Sequence, residues 1–243
     1  MARRIHLREL RLGQTPLDPA QAHHLRDVLR LTDGSAVEVF DDAGATAPAV
    51  LHLLGDGTAA VSVENIVAAA ASGLRWTVAS AVPKGERADW MVEKLSELGA
   101  TAFIPLATAR SVVLPEGKNK RERWERLATE SARQSRRAGV MRIEELTPLA
   151  KAVAGVRGRG WFLATEVPGI PIAEAISDAR DVEALTLFIG PEGGWTAQEI
   201  ATFTEAGMTP VKLTGTVLRV ETAAVAAGAV VASLCRPNVA DRT

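Results

Sequence analysis

Leu185-Thr186-Leu187-Phe188-Ile189-Gly190-Pro191-Glu192-Gly193-Gly194-Trp195 reads as a strand that runs directly into a glycine turn. Leu185 to Ile189 is a short apolar run without turn residues, the pattern of a buried parallel strand. It stops at Gly-Pro and again at Gly-Gly, where the backbone can take positive φ and another group can approach it closely. Thr196 then has the character of an N-cap, with Glu199 three residues on to complete a capping box. Strand, loop and helix in this order indicate an open α/β sheet, in which ligands bind beyond the carboxyl ends of the strands. One glycine loop by itself is equally compatible with a plain strand-to-helix turn.

A second run narrows the choice. Val211 to Leu213 is another short apolar strand, and Thr214-Gly215-Thr216 ends it. Apolar Val217 and Leu218 follow, then Arg219, and Glu221-Thr222 starts a helix. Two successive parallel strands thus end in loops able to face each other. One offers bare backbone and the other an apolar pair flanked by charge, which suits a flat, partly apolar ligand held by backbone hydrogen bonds. Neither loop is a P-loop, which requires Gly-Lys-Ser/Thr, and neither is GxGxxG.

The segments IGPEGGWTAQE and LTGTVLRVETA resemble the signature segments of the knotted SPOUT-class RNA methyltransferases. Within that class they are similar to the bacterial 16S ribosomal RNA uracil-N3 methyltransferases. The resemblance implies S-adenosylmethionine as methyl donor, a trefoil-knotted parallel-sheet domain over residues 75–243, a PUA-like RNA-binding β-barrel over residues 1–70, and a homodimer. It also implies a cofactor site built from Thr165, Glu166, Ile189, Gly190, Pro191, Glu192, Gly193, Gly194, Leu213, Gly215, Val217, Leu218, Thr222 and Ala223.

Composition sets the outer bounds. The chain has 243 residues, 47% of them hydrophobic, enough for one large or two small packed cores. A single cysteine, Cys235, excludes an internal disulfide framework and a cysteine-rich zinc site, and fits a reducing cytoplasm. The start, Met-Ala-Arg-Arg-Ile-His, lacks the apolar stretch of a signal peptide, and no apolar run is long enough to span a bilayer. The net charge of −1 argues against indiscriminate nucleic-acid binding, but its distribution is uneven. Residues 73–160 hold seventeen basic and ten acidic side chains, against six and nine before them and five and ten after. A local basic patch is the footprint of a phosphate-binding surface, although a solvated, salt-bridged helix face carries the same charges.

Residues 1–70 read mostly as short strands. Ala36 to Phe40, Ala49 to Leu54 and Ala59 to Ile66 are strand candidates, with Gly55-Asp56-Gly57 as a hairpin turn. Asp18 to Leu29 reads as a helix capped by Asp18, with Pro19 at its first position. HHLRDVLRLTDGSAVEVFD resembles the family's PUA-like domain, which implies RNA contacts from His24, Arg26 and Arg30. Paired histidines on a short helix with no cysteine nearby are more often solvated than functional, so no metal site is expected.

Residues 67–74 read as a linker. Trp76 to Val82 is a strand ending at Pro83-Lys84-Gly85, and Arg87 to Leu98 a helix with Met91, Leu95 and Leu98 on one side and Gly99 as its stop. Ala102 to Pro105 is the next strand, and this β-α-β order indicates a parallel sheet. Lys118 to Ala138 is a polar helix that sets Arg126, Glu130, Arg133, Gln134 and Arg137 at helical spacings. PKGERADWMVEKLSELGATAFIPLATARSVV and ESARQSRRAGVMRI extend the resemblance, with Met141 where the family has proline. They imply further RNA contacts from Lys84, Arg110, Arg133, Gln134, Arg136 and Arg137. Gly155 to Gly160 is a loop, Trp161 to Ala164 a strand, Pro171 to Ile176 a helix, and Asp178 to Glu183 leads to the strand at Leu185. Ala223 to Leu234 is a helix apolar nearly all round, hence buried, and rich in small residues that suit a dimer interface.

Uracil N3 becomes a nucleophile only when its proton is lost, so the implied reaction needs a base or cations that stabilise the uracil anion. Arg219 and Arg110 are the candidates for anion stabilisation, with Glu221 and then Glu130 as candidate bases. N3 lies on the Watson–Crick edge, so the target is unpaired or extruded, and the resemblance implies the assembled small ribosomal subunit as substrate. Two competing readings are another SPOUT methyltransferase, acting on a ribose 2′-hydroxyl or a guanine, and a non-catalytic RNA-binding assembly factor.

Overall fold

The structure is a computed structural model and describes residues 3–69, 73–115, 117–177, 179 and 182–233. Cys235, Leu234, residues 70–72 of the expected linker and Asp178, Arg180 and Asp181 of the stretch leading to Leu185 lie outside the described residues. The chain divides into two compact units, Met1–Ala71 with Ala132–Val140, and Ser72–Ser131 with Met141–Thr243.

The first unit is a five-stranded sheet. Its strands are β1 (Arg3–His6), β2 (Gly13–Pro16), β3 (Ala36–Phe40), β4 (Thr46–Leu53) and β5 (Ala59–Val63), in the order β1-β3-β4-β5-β2. β1 runs parallel to β3, and the other pairings are antiparallel. Alternation places Val37, Val39, Ala47, Ala49, Leu51, Val61 and Val63 in one core. The turn at Gly55 to Gly57 forms as expected, with Leu54 N–H donating to Thr58 O at 2.9 Å. β1 and β2 carry no apolar alternation and stand at the sheet edges, where pairing with a neighbour rather than sequence pattern makes the strand. The expected helix is one short α-helix, α1 (Pro19–His23), with a full Asp18–Gln21 capping box. It then widens into a π turn over His24–Val28.

Arg4 ties the segment 132–140 into this unit. Its guanidinium donates to the carbonyls of Ala132 at 3.2 Å and Arg137 at 2.8 Å, pairs with Glu38 at 2.7 Å and lies 4.0 Å above the Phe40 ring. Gly139 (φ +74) sits against the backbone of Asp42, whose carbonyl accepts from Val140 N–H at 3.2 Å.

The second unit is an α/β layer structure. Its elements are β6 (Arg75–Ser80), α2 (Glu86–Glu97), β7 (Ala102–Ala107), α3 (Lys118–Ser135), β8 (Arg142–Ile143), β9 (Thr147–Pro148) and α4 (Leu149–Ala154). These are followed by β10 (Arg159–Leu163), β11 (Ile170–Pro171), α5 (Ile172–Ser177), β12 (Ala184–Ile189), α6 (Ala197–Glu205), β13 (Thr209–Lys212) and α7 (Val220–Ala232). The last turn of α3, from Ala132, belongs to the first unit. The eight-stranded sheet has the order β11-β13-β10-β12-β6-β7-β8, with β9 also on β7, and every pairing is parallel. Ala79, Phe162 and Phe188 face a core with α4 and α6, in which Phe203 stacks on Phe162 at 4.4 Å. Trp76 points to the other face of the sheet and meets α7, where a Cβ on Gly228 would lie 3.2 Å from Trp76 and Leu95.

β12 and β13, successive in sequence, are separated in the sheet by β10. Two expectations are corrected. α7 is buried along Ala224, Ala227, Gly228 and Val231 but exposes Thr222 and Ala229, so its apolar character does not mean burial all round. α3 ends at Ser135 rather than Ala138, since Arg136 takes left-handed backbone (φ 55). Met141, in place of the family's proline, is 1% exposed, and β8 begins directly after it.

Candidate active site

Three loops close on one cavity of about 490 Å³ at the carboxyl ends of β10, β12 and β13. Its wall is formed by Leu163 to Glu166, Ile189 to Trp195, Val211 to Leu218, and Val220 and Ala223 at the start of α7. The glycine loop after β12 and the Thr-Gly-Thr loop after β13 therefore meet here, together with Thr165 and Glu166. Thr222 does not line the cavity. Val220 and Ala223 do, and on a helix a residue between them turns to another side.

The glycine loop is clamped from two directions. Glu166 accepts from Trp195 N–H at 3.0 Å through Oε1 and from Thr165 N–H at 2.9 Å through Oε2. Gly194 adopts φ +69, and a Cβ there would fall on Glu166 Oε1. Only glycine satisfies both conditions. From the other direction Arg110 donates to Gly193 O at 2.6 Å and Trp195 O at 3.4 Å. Glu199, largely buried, accepts from Ala109 N–H at 2.9 Å and from Thr196 N–H at 2.8 Å. The Thr196 and Glu199 capping box thus also fastens the loop after β7 to the start of α6. Trp195 fills the space behind Gly190, where a Cβ would lie 2.9 Å from its ring, and its indole donates to Leu163 O at 2.7 Å.

Charges gather at the start of α7. Arg219 is the exposed N-cap, between cavity-lining Leu218 and Val220. Glu221 is buried at 6% exposure, and its Oε1 lies 3.3 Å from the Arg87 guanidinium. Its Oε2 has no hydrogen-bond partner among the described residues. Arg87 also stands 3.7 Å from Glu192 of the glycine loop, so one arginine on α2 links the two cofactor-loop segments. Sequence reading passed over Arg87 and Trp195, and only the adjacency of Trp195 to Gly-Gly could have marked it. Glu130 is exposed on α3 and does not line the cavity.

The wall fits an adenine-bearing cofactor. Among the described residues none accepts a hydrogen bond from the amides of Gly215, Val217 or Leu218. Leu213, Ile189 and Leu218 supply apolar surface, and a Cβ on Gly215 would meet nothing within 4 Å. The volume lies in the usual range for small-molecule sites. No group of three or more metal-ligating side chains occurs among the described residues.

A family described as the RNA methyltransferase domain matches residues 71–232, and one described as the RNA methyltransferase PUA domain matches residues 17–64. A protein of Synechocystis sp., ribosomal RNA small subunit methyltransferase E, is 35% identical over 212 residues, covering 85% of this chain and 69% of that one. The chain belongs to the ribosomal RNA small subunit methyltransferase E family. The Mycobacterium tuberculosis member is 33% identical over 221 residues, covering 88% of this chain and 84% of its own length. Among solved structures, the Neisseria gonorrhoeae member bound to S-adenosyl methionine superposes with a TM-score of 0.82 at 26% identity, covering 96% of this chain and 98% of that chain.

The family's PUA segment holds three of the expected RNA contacts. Arg26 is exposed but already bonded to Asp27 and to Gly57 O at 3.0 Å. Arg30 is exposed on left-handed backbone (φ 52), and His24 is half-buried in the π turn. Lys84 is exposed between β6 and α2. Arg133, Gln134, Arg136 and Arg137 fall in the segment 132–140. Arg137 is half-buried, its carbonyl accepts from Arg4, and burial holds its guanidinium down to about 10. No described helix is long and apolar enough to cross a membrane.

Proposed function

We propose that this chain methylates N3 of a uracil in 16S ribosomal RNA of the small ribosomal subunit, with S-adenosylmethionine as donor. The observation that carries the reading is the three-loop cavity, whose glycine wall and open backbone amides lie within residues 71–232, the stretch that matches the RNA methyltransferase domain. The proposal includes a trefoil knot in the second unit and a cytoplasmic homodimer. A parallel sheet whose β10 lies between β12 and β13, with all three loops on one cavity, supports the knot. The exposed small-residue side of α7 supports the dimer.

Bound in the cavity, S-adenosylmethionine supplies a methyl group made electrophilic by the adjacent sulfonium. The amides of Gly215, Val217 and Leu218 and the apolar surface of Leu213, Val217 and Leu218 would hold the cofactor. Arg219, exposed at the cavity rim, stabilises the negative charge that develops on the uracil carbonyls as N3 loses its proton. Glu221, the candidate base, falls like Thr222 between Val220 and Ala223 and is not part of the cavity wall; one oxygen is held towards Arg87 and the other has no partner among the described residues. Arg110 spends one nitrogen on the glycine loop, so its main contribution is to hold that loop.

The test is tritium transfer from labelled S-adenosylmethionine to small subunits of a strain lacking the endogenous enzyme, followed by digestion to nucleosides. Label in 3-methyluridine is the expected result. Label in a 2′-O-methyl nucleoside or a methylguanosine would replace the accepting atom. Absence of label together with absence of cofactor binding would overturn the proposal.

A further inference from the structure

The second unit holds another cavity, of about 600 Å³, at the opposite end of the sheet from the candidate active site. Arg75, Ala102, Arg142 and Ala184 line it, and each is the first residue of its strand. The cofactor loops, in contrast, follow the last residues of theirs. α4 and the turn after it close one side with Lys151 and Arg157, and the first turn of α3 contributes Arg121.

Five cationic side chains face this space against two carboxylates, Glu144 and Glu145. Those carboxylates are engaged. Glu144 pairs with Arg142 at 3.4 Å and Glu145 with Arg121 at 3.2 Å. Arg75, Lys151 and Arg157 have no ion-pair partner among the described residues. Like charges gathered in one concavity repel, and the low-dielectric wall of a cleft concentrates their field. An anion offsets that repulsion. Two arginine forks and a lysine point charge around an open cleft suit phosphate oxygens, which accept both kinds of donor. Thr77 and Thr186 stand on the sheet behind them, beside Ile104 and Leu185. Nothing in the cofactor chemistry uses this end of the sheet.

We propose that this cavity is a second phosphate-binding site, one that grips a stretch of RNA backbone in the small subunit remote from the methylated base. The inference rests on the small subunit being the substrate. The shared chemistry is the phosphate oxyanion, and a free polyphosphate is its other possible source. A substrate larger than the enzyme can reach both ends of the sheet, so a grip remote from the reacting base adds affinity and register without taking part in chemistry.

The test compares wild type with the Arg75→Gln/Lys151→Gln/Arg157→Gln variant and with each single change. Small-subunit binding is measured across a series of potassium chloride concentrations. Removing one cation–phosphate pair lowers the slope of log K against log salt by about 0.7 to 0.9. The triple variant is therefore expected to lose about 2 units of slope, and each single variant somewhat under 1. S-adenosylmethionine affinity stays at the wild-type value, which also reports that the unit is folded. The Arg75→Lys/Arg157→Lys variant keeps its charge and most of the slope. In parallel, inorganic pyrophosphate is titrated into each protein without RNA. Tight pyrophosphate binding that disappears in the triple variant, with subunit binding unchanged, supports the site and assigns it to a free polyphosphate. An unchanged salt slope together with no pyrophosphate binding overturns the proposal. Failure of the wild type itself to bind or methylate subunits overturns the functional reading instead, and the pyrophosphate titration still decides this cavity.

Discussion

Replacing Gly194 by alanine tests whether the glycine loop is held as its geometry indicates. The new Cβ meets two obstacles: left-handed backbone at φ +69 and the space taken by Glu166 Oε1. The first costs roughly 1 kcal/mol. The second displaces a carboxylate that accepts from Trp195 N–H at 3.0 Å, and losing a charged hydrogen bond of this kind costs roughly 2 kcal/mol. The sum is about 3 kcal/mol, of which only the backbone part persists once the carboxylate is gone. In a Glu166→Ala background the same change should therefore cost about 1 kcal/mol, a coupling of about 2 kcal/mol. All five tryptophans lie in the second unit, so urea unfolding followed by tryptophan fluorescence reports on that unit. Calorimetric titration of the four proteins with S-adenosylmethionine gives the functional reading, with affinity expected to fall at least about tenfold in Gly194→Ala, equivalent to about 1.4 kcal/mol. Equal costs in the two backgrounds, or full cofactor affinity in Gly194→Ala, would refute the idea that Glu166 occupies the space glycine leaves.

Arg219→Ala should lower the single-turnover methylation rate roughly 100-fold and leave cofactor affinity unchanged, because the side chain stabilises charge that appears only in the transition state; quench-flow with labelled donor measures it. Acid should loosen the α2–α3 contact. Burial pushes the Asp89 carboxyl up, but hydrogen bonds from Lys120 and Trp124 and the nearby Arg123 more than offset this and hold it below the usual range. A depressed pKa gives stability that is present above the unfolded value near about 4 and lost as pH falls through the folded one. Asp89→Asn should flatten that acid limb in a urea series, and an unchanged limb would contradict the assignment. Arg30→Gly should leave the first unit as stable or up to about 1 kcal/mol more so, since glycine relieves φ 52, while weakening small-subunit binding; hydrogen exchange and filter binding separate the two effects.

The parallel sheet and both cofactor loops were legible because their signals are local. An apolar run that stops at glycine, followed by Thr196 and Glu199, specifies strand, turn and capped helix within fifteen residues. Which loops share a cavity depends on strand order, and no local pattern states that β10 separates β12 from β13. β1, β2, β8, β9 and β11 were missed because each is a short, polar or two-residue strand held by its neighbours. Arg110 illustrates the limit for side chains. Its position beside the site was readable, but its engagement with the Gly193 carbonyl, which makes it a clamp, arises from residues 83 positions apart.

The membership of residues 132–140 in the first unit bears on how the protein is made. The buried Arg4 guanidinium draws two of its acceptors from carbonyls 128 and 133 residues downstream. During synthesis those carbonyls are still untranslated when the five strands of the first unit have already left the ribosome. The N-terminal unit is therefore a gene-order insertion host: β6, α2, β7 and most of α3 must be polymerised before it can be completed. A fragment cut after residue 71 would keep the Arg4–Glu38 pair but lose the Ala132 and Arg137 carbonyls, so a clean excision of this unit includes the nine-residue segment, in trans or by circular permutation.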